Sequence, residues 1–146
     1  MSETIKAPRI LIADDDPTLR GLLAETLMAY GAEVTAVSNG QEAVCEAILH
    51  PYDVCILDIE MPVMNGYEAC VRLRESAFTK SLPVLFLTGL NDDDSIKKAL
   101  ATGGWDYVNK PFNPALLWTR ISNLLMLSKL VRERDNLDAV LRHARV

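Results

Sequence analysis

The sequence predicts a three-layer α/β domain built on a parallel sheet. Three observations carry the prediction. Apolar runs of strand length recur along the chain, segments of helical length separate them, and the runs are apolar on both faces, as a sheet covered by helices on each side requires.

The elements follow in order. Ile10 to Ala13 reads as the first strand, and Asp16-Pro17 opens a helix by placing a capping carboxylate before a proline at the first helical position. Leu19, Leu22, Leu23, Thr26, Leu27 and Tyr30 give that helix one buried face, and Gly31 caps its end. After the strand Val34 to Val37, Ser38-Asn39-Gly40-Gln41 has capping-box spacing for a second helix, which His50-Pro51 should stop. Val54 to Leu57 forms the third strand. Asn65 with Glu68 three residues on starts the next helix, Val84 to Leu87 is the fourth strand, and Gly103 closes the helix after it. Tyr107 to Val108 is a short fifth strand. Asn113-Pro114 opens a last helix with no breaker before Arg145.

Composition bounds the function. The chain has 146 residues, 49% of them hydrophobic and 24% charged, which suits one domain with a buried core and excludes wholesale disorder. It has no apolar run of membrane-spanning length and no signal-type segment at Met1 to Arg9, so a cytoplasmic protein without membrane contact is expected. Cys45, Cys55 and Cys70 lack metal-ligand spacing and read as reduced thiols. A formal charge of −5 argues against direct nucleic-acid binding.

Ligands of open parallel sheets bind beyond the carboxyl ends of the strands, and here those ends are polar. Asp14, Asp15 and Asp16 follow the first strand, Asp58 the third, Thr88 the fourth, and Lys110 the fifth. Asp16 is accounted for as a helix cap and is left out of the site. Asp14 and Asp15 taken alone would pass for a solvated acidic turn, Thr88 for a strand-end hydroxyl, and Lys110 for a surface lysine. Asp58 differs, because it directly ends an apolar run, where a carboxylate needs a partner, either Lys110 or a metal. Several carboxylates in one crevice repel one another unless a cation sits among them, and a hard divalent ion such as Mg2+ suits oxygen donors.

The segments Ile10 to Pro17, Asp58-Ile59-Glu60-Met61-Pro62-Val63-Met64-Asn65-Gly66, Leu87-Thr88-Gly89 and Asp106-Tyr107-Val108-Asn109-Lys110-Pro111-Phe112 together resemble the receiver domain of bacterial two-component response regulators. The resemblance spans Pro8 to Met126. It implies a flavodoxin-like, doubly wound five-stranded sheet of order 2-1-3-4-5. It implies further that Asp58 is the phosphoacceptor, that Asp15 and Asp58 hold Mg2+ directly, that Glu60 offers its backbone carbonyl, and that Asp14 acts through a coordinated water. Lys110 would pair with the phosphoryl oxygens. Thr88 and Tyr107 would form the switch, although Tyr107 by itself reads as a half-buried strand residue. Lys110-Pro111 matches a bond that is cis in the family.

The implied partners are a sensor histidine kinase or phosphotransfer protein and a downstream output domain. The chain would be no enzyme beyond Mg2+-dependent self-phosphorylation and self-dephosphorylation. Gly89 and Gly104 stand where the family commonly has alanine, and Trp105 where it has a small or polar residue. Glu60 and Leu90, each two residues beyond a site residue, are placed to tune hydrolysis of the phosphoryl group.

Two other functions compete. An aspartate-nucleophile phosphatase would want a second carboxylate two residues after the nucleophile, which Asp58-Ile59-Glu60 imitates loosely. A flavin carrier would want hydroxyls and amides where the first loop is acidic.

The expected organisation is a tail at 1–8, a receiver at 9–126 and a helical extension at 127–146. The extension resembles a signalling helix: Leu127, Leu130, Leu137, Leu141 and Ala144 recur at spacings of three and four, with Arg134 interrupting. It is also basic, unlike the chain before it, and is expected to pair with a second copy.

Overall fold

The computed structural model describes residues 6–89 and 92–144. Strand β1 (Arg9–Ala13) lies between β2 (Glu33–Val37) at one edge of a five-stranded parallel sheet and β3 (Val54–Asp58) at its centre, with β4 (Val84–Thr88) and β5 (Asp106–Asn109) following outward, in the order β2-β1-β3-β4-β5. The order reverses between β1 and β3. This is the doubly wound, flavodoxin-like arrangement, and the reversal opens a crevice at the carboxyl ends of those two strands.

Helices α1 (Pro17–Ala29) and α5 (Pro114–Ala144) cover one face, and α2 (Gly40–Leu49), α3 (Gly66–Glu75) and α4 (Asp93–Ala101) the other. The pleat sorts the side chains. Ile10, Ile12, Ile56, Leu85 and Leu87 pack with Leu23, Leu27, Leu117 and Ile121, whereas Leu11, Cys55, Leu57, Val84 and Phe86 pack with Ala43, Cys70 and Leu73. Each fully buried Leu, Ile or Phe contributes about 1.5–3 kcal/mol. Both layers are therefore needed for stability.

The helix boundaries arise from local chemistry. Asp16 accepts from the amides of Thr18 and Leu19, Asn65 from Glu68, and Asn113 from Leu116. Helix α2 corrects the capping expectation by one residue. Its N-cap is Asn39, which accepts from the Glu42 amide, while Ser38 and Asn39 both donate to the Glu42 carboxylate. Gly31 and Gly103 take positive φ just beyond α1 and α4. The buried face of α1 is narrower than the periodicity suggests, for Leu22 is 53% exposed and Tyr30 stacks on Trp118 at the surface.

Gly104 and Trp105 also acquire reasons. A Cβ at Gly104 would lie 2.5 Å from the Phe86 ring, and Trp105 packs over the α1/α5 layer. Helix α5 buries Leu117, Ile121 and Leu124 and then runs on past the body. Among the described residues, no helix is long and apolar enough to cross a membrane.

Candidate functional site

The loop after β1 carries Asp14 and Asp15. The Asp14 amide donates to Val37 O on β2, which fixes the backbone, and the Asp16 amide donates to Asp14 Oδ1 at 2.9 Å, which holds the buried carboxylate. Arg20 grips the Asp14 carbonyl at 2.8 Å, a contact that no sequence motif announces. Asp15, the next residue, is exposed at the rim.

Asp58 is the last residue of β3 and is 7% exposed. Its position depends on Gly66, where any Cβ would collide with the Asp58 carbonyl oxygen; the Gly66 amide donates to Ile59 O and turns the chain tightly under the site. The Asn65-Gly66 pair was legible in sequence as a helix start, but its support of Asp58 was not.

Thr88 ends β4 and is buried. Its carbonyl accepts from the Lys110 amide at 2.8 Å, which brings the segment after β5 alongside. The Lys110-Pro111 bond is cis, as the resemblance implies. Lys110 Nζ lies 3.1 Å from Asp14 Oδ2 and 3.3 Å from Asp58 Oδ1.

Asp15, Asp58, Glu60, Thr88, Gly89 and Lys110 line one open cleft. Tyr107 does not line it. It pairs in register with Phe86 and packs, half-buried, against the α2/α3/α4 layer. A Cβ at Gly89 would meet nothing within 4 Å, so packing does not demand glycine there. Leu90 lies outside the described residues.

Burial pushes the Asp58 carboxyl up to about 6; the Lys110 ammonium pulls it down, and the charge of Asp14 adds to the rise. For Lys110, burial alone would lower the pKa, but the close contact with Asp14 and the charges of both aspartates raise it. The ammonium therefore stays charged at neutral pH.

The donor set fits a hard divalent cation. One carboxylate oxygen from each of Asp14, Asp15 and Asp58 lies within 4.8 Å of the others, and three acids face a single lysine. Buried Asp14 Oδ2 accepts no aligned hydrogen bond, although Lys110 stands beside it as an ion-pair partner. A cation with oxygen ligands satisfies such a surplus, as an all-apolar or all-amide crevice would not.

A family profile described as the response regulator receiver domain matches residues 10–122. The phosphate regulon transcriptional regulatory protein PhoB of Rhizobium meliloti is 36% identical over 122 residues, which cover 84% of this chain and 54% of that protein. Among solved structures, chemotaxis protein CheY4 of Vibrio cholerae superposes with a TM-score of 0.78 at 31% identity, covering 82% of this chain and 99% of that one. The receiver domain of sensor histidine kinase PA1611 from Pseudomonas aeruginosa, solved with a magnesium ion coordinated in its active-site cleft, gives a TM-score of 0.78 at 28% identity, with coverages of 82% and 98%. The chain spans about half the length of the curated relatives it matches.

Proposed function

This chain belongs to the response regulator receiver domain family, and we propose that it takes a phosphoryl group onto Asp58 from a phosphohistidine on a sensor histidine kinase or phosphotransfer protein. The observation that carries the reading is the meeting of Asp14, Asp15 and Asp58 with Lys110 at one crevice.

In the transfer, an Asp58 carboxylate oxygen attacks phosphorus, the P–N bond breaks, and the leaving imidazole nitrogen keeps the electron pair. The product is an acyl phosphate on Asp58. Phosphoryl transfer spreads negative charge over three equatorial oxygens and leaves the protein mainly to position and neutralise. Lys110 Nζ, 3.3 Å from Asp58 Oδ1, is placed to meet those oxygens as a point charge. Asp15 and Asp58 would hold Mg2+ directly, with the Glu60 backbone carbonyl as a further ligand and Asp14 acting through a coordinated water. When bound, the ion supplies positive charge against the crowded oxygens.

Thr88, at the edge of the same cleft, bonds the new phosphoryl group, and Tyr107 turns inward as that hydroxyl moves. Charge is thereby converted into shape. The chain modifies only itself, and its acyl phosphate is lost by self-catalysed hydrolysis. Residues 9–126 act as the switch, in the cytoplasm and without touching nucleic acid. Residues 127–146 carry the output, to a second copy or to a downstream domain, and the exposed leucines of α5 support the first of these.

The test is incubation with a small phosphodonor such as an acyl phosphate, with and without Mg2+. One phosphoryl group should add, a mass gain of about 80 Da. Asp58→Asn or a chelator should prevent it. Labelling of Asp58→Asn at the wild-type level would overturn the assignment.

A further inference from the structure

The sheet is parallel, so its strands all begin at one end of the molecule, opposite the aspartate cleft. The two ends carry opposite charge. Asp14, Asp15, Asp58 and Glu60 gather around Lys110 at the carboxyl end, whereas Lys6, Arg9, Lys129 and Arg132 line a second cleft at the amino end, where Arg9 starts β1 and Asp53 directly precedes β3. The chain concentrates these cations although its formal charge is −5.

The acids beside this second cleft are already engaged by Arg9. Its amide donates to Asp53 Oδ2 at 2.8 Å, and its guanidinium lies 3.9 Å from Glu33 and over the Tyr52 ring. Among the described residues, no carboxylate pairs with Lys6, Lys129 or Arg132. Lys129 and Arg132 stand three apart on one face of α5 and line the cleft together with Lys6, from the other end of the chain. Exposed cations brought to one concavity repel one another, and an anion seated among them removes that repulsion.

Charge is not the whole lining. The cleft measures about 600 Å³, a volume typical of small-molecule sites. Pro8, Trp118 and Leu125 give it an apolar wall, and Tyr30, stacked on Trp118 at 5.0 Å, holds the indole in place. Through Pro51, Asp53, Leu125 and Arg132 the cleft adjoins a recess of about 210 Å³ whose lining includes Ser81 and Ser128. A cationic rim, a flat apolar wall and nearby hydroxyls complement the phosphates, base and sugar of a nucleotide.

We propose that this cleft binds a nucleoside di- or triphosphate, with its phosphates against Lys6, Lys129 and Arg132 and its base against Trp118 and Leu125. Inorganic phosphate would leave the wall uncovered. A pocket of this size takes a single nucleotide rather than a duplex, which needs a basic surface extended along its length. Occupancy would tie the segment before β1 to α5 at the end of the sheet remote from Asp58.

Isothermal titration of the full chain with ATP tests this, in chelator so that no metal bridges a phosphate to the aspartate cleft. One ATP should bind, about tenfold or more tightly than pyrophosphate or adenosine, and should change the fluorescence of Trp118. Lys129→Glu combined with Arg132→Glu, both at exposed positions, should weaken ATP about tenfold or more, while acyl phosphate labels Asp58 as before. Lys97→Glu combined with Arg142→Glu makes the same change in net charge at exposed positions outside the cleft and should leave ATP binding as it was. Absence of saturable binding at millimolar ATP overturns the site, and so does an equal loss in the second pair of variants, which would reduce the effect to net charge. Pyrophosphate binding as tightly as ATP overturns the nucleotide assignment, as does a short DNA duplex that binds more tightly and displaces ATP.

Discussion

The ammonium of Lys110 stands 3.3 Å from Oδ1 of Asp58, joining the end of β3 to the segment after β5 across the intervening strand. The same group lies 3.1 Å from Asp14 Oδ2, so one cation balances two buried acids. Lys110→Met should therefore destabilise the metal-free chain at neutral pH. The side chain of Lys110 is 23% exposed, and solvent reduces the cost to about 1–3 kcal/mol. Urea unfolding in chelator checks this, and an unchanged midpoint would deny the pair a structural part.

The pH dependence follows from Asp58. Its carboxyl is pushed up to about 6, chiefly by burial, whereas an unfolded aspartate titrates near about 3.9. Between those values the folded chain holds the additional proton. This group's contribution is thus fully present below about pH 4, is lost as the pH rises through about 6, and is constant above. In chelator, the stability of the wild type relative to Asp58→Asn should fall across that interval. A parallel pair of pH curves, or a carboxyl carbon resonance of Asp58 titrating near the ordinary value, would refute the shift.

Asp15→Asn should separate function from stability. It removes one negative charge from a cluster of three, so without Mg2+ the variant should melt slightly higher, by a few tenths of a kcal/mol because Asp15 is exposed. Added Mg2+ should stabilise the wild type, and the variant should lose much of that gain. Melting curves with and without the ion decide the matter, and a full Mg2+ response in the variant would remove Asp15 from the ligand set.

Gly104 and Phe86 should be energetically coupled. Gly104→Ala places a Cβ 2.5 Å from Phe86 Cε2 and 2.9 Å from Ala99 O, and overpacking of this kind costs about 1–3 kcal/mol. Phe86→Leu alone should also destabilise by loss of packing. The double variant should be less unstable than the two costs added, which a double-mutant cycle measures directly. Simple additivity would show that the ring yields without help.

The strand ends were legible because polarity there interrupts apolar runs, a one-dimensional signal for Asp14, Asp58, Thr88 and Lys110. The helix caps were legible for the same kind of reason, and the slip from Ser38 to Asn39 reflects two adjacent capping residues competing for one amide. Contacts that depend on distant chain segments left no trace of that kind. Arg74 reads as a solvated helix residue, yet its guanidinium donates to Gly103 O at 2.6 and 3.0 Å and to the carbonyls of Thr79 and Lys80, tying the ends of α3 and α4 together. The clash that forbids a side chain at Gly66 arises from the Asp58 carbonyl, eight positions earlier in the chain. The departures at Gly104 and Trp105 became explicable only once Phe86 and the α1/α5 layer were placed around them.

The cleft is assembled from the ends of β1, β3 and β4 and the segment after β5, and no stretch of the chain holds it alone. A nascent or damaged molecule in which one edge of the sheet has come loose keeps its aspartates but loses the lysine that answers them. It should be a poor phosphoacceptor. On the function proposed above, phosphorylation would count only intact molecules, and a signal carried on Asp58 would be one that misfolded copies cannot report.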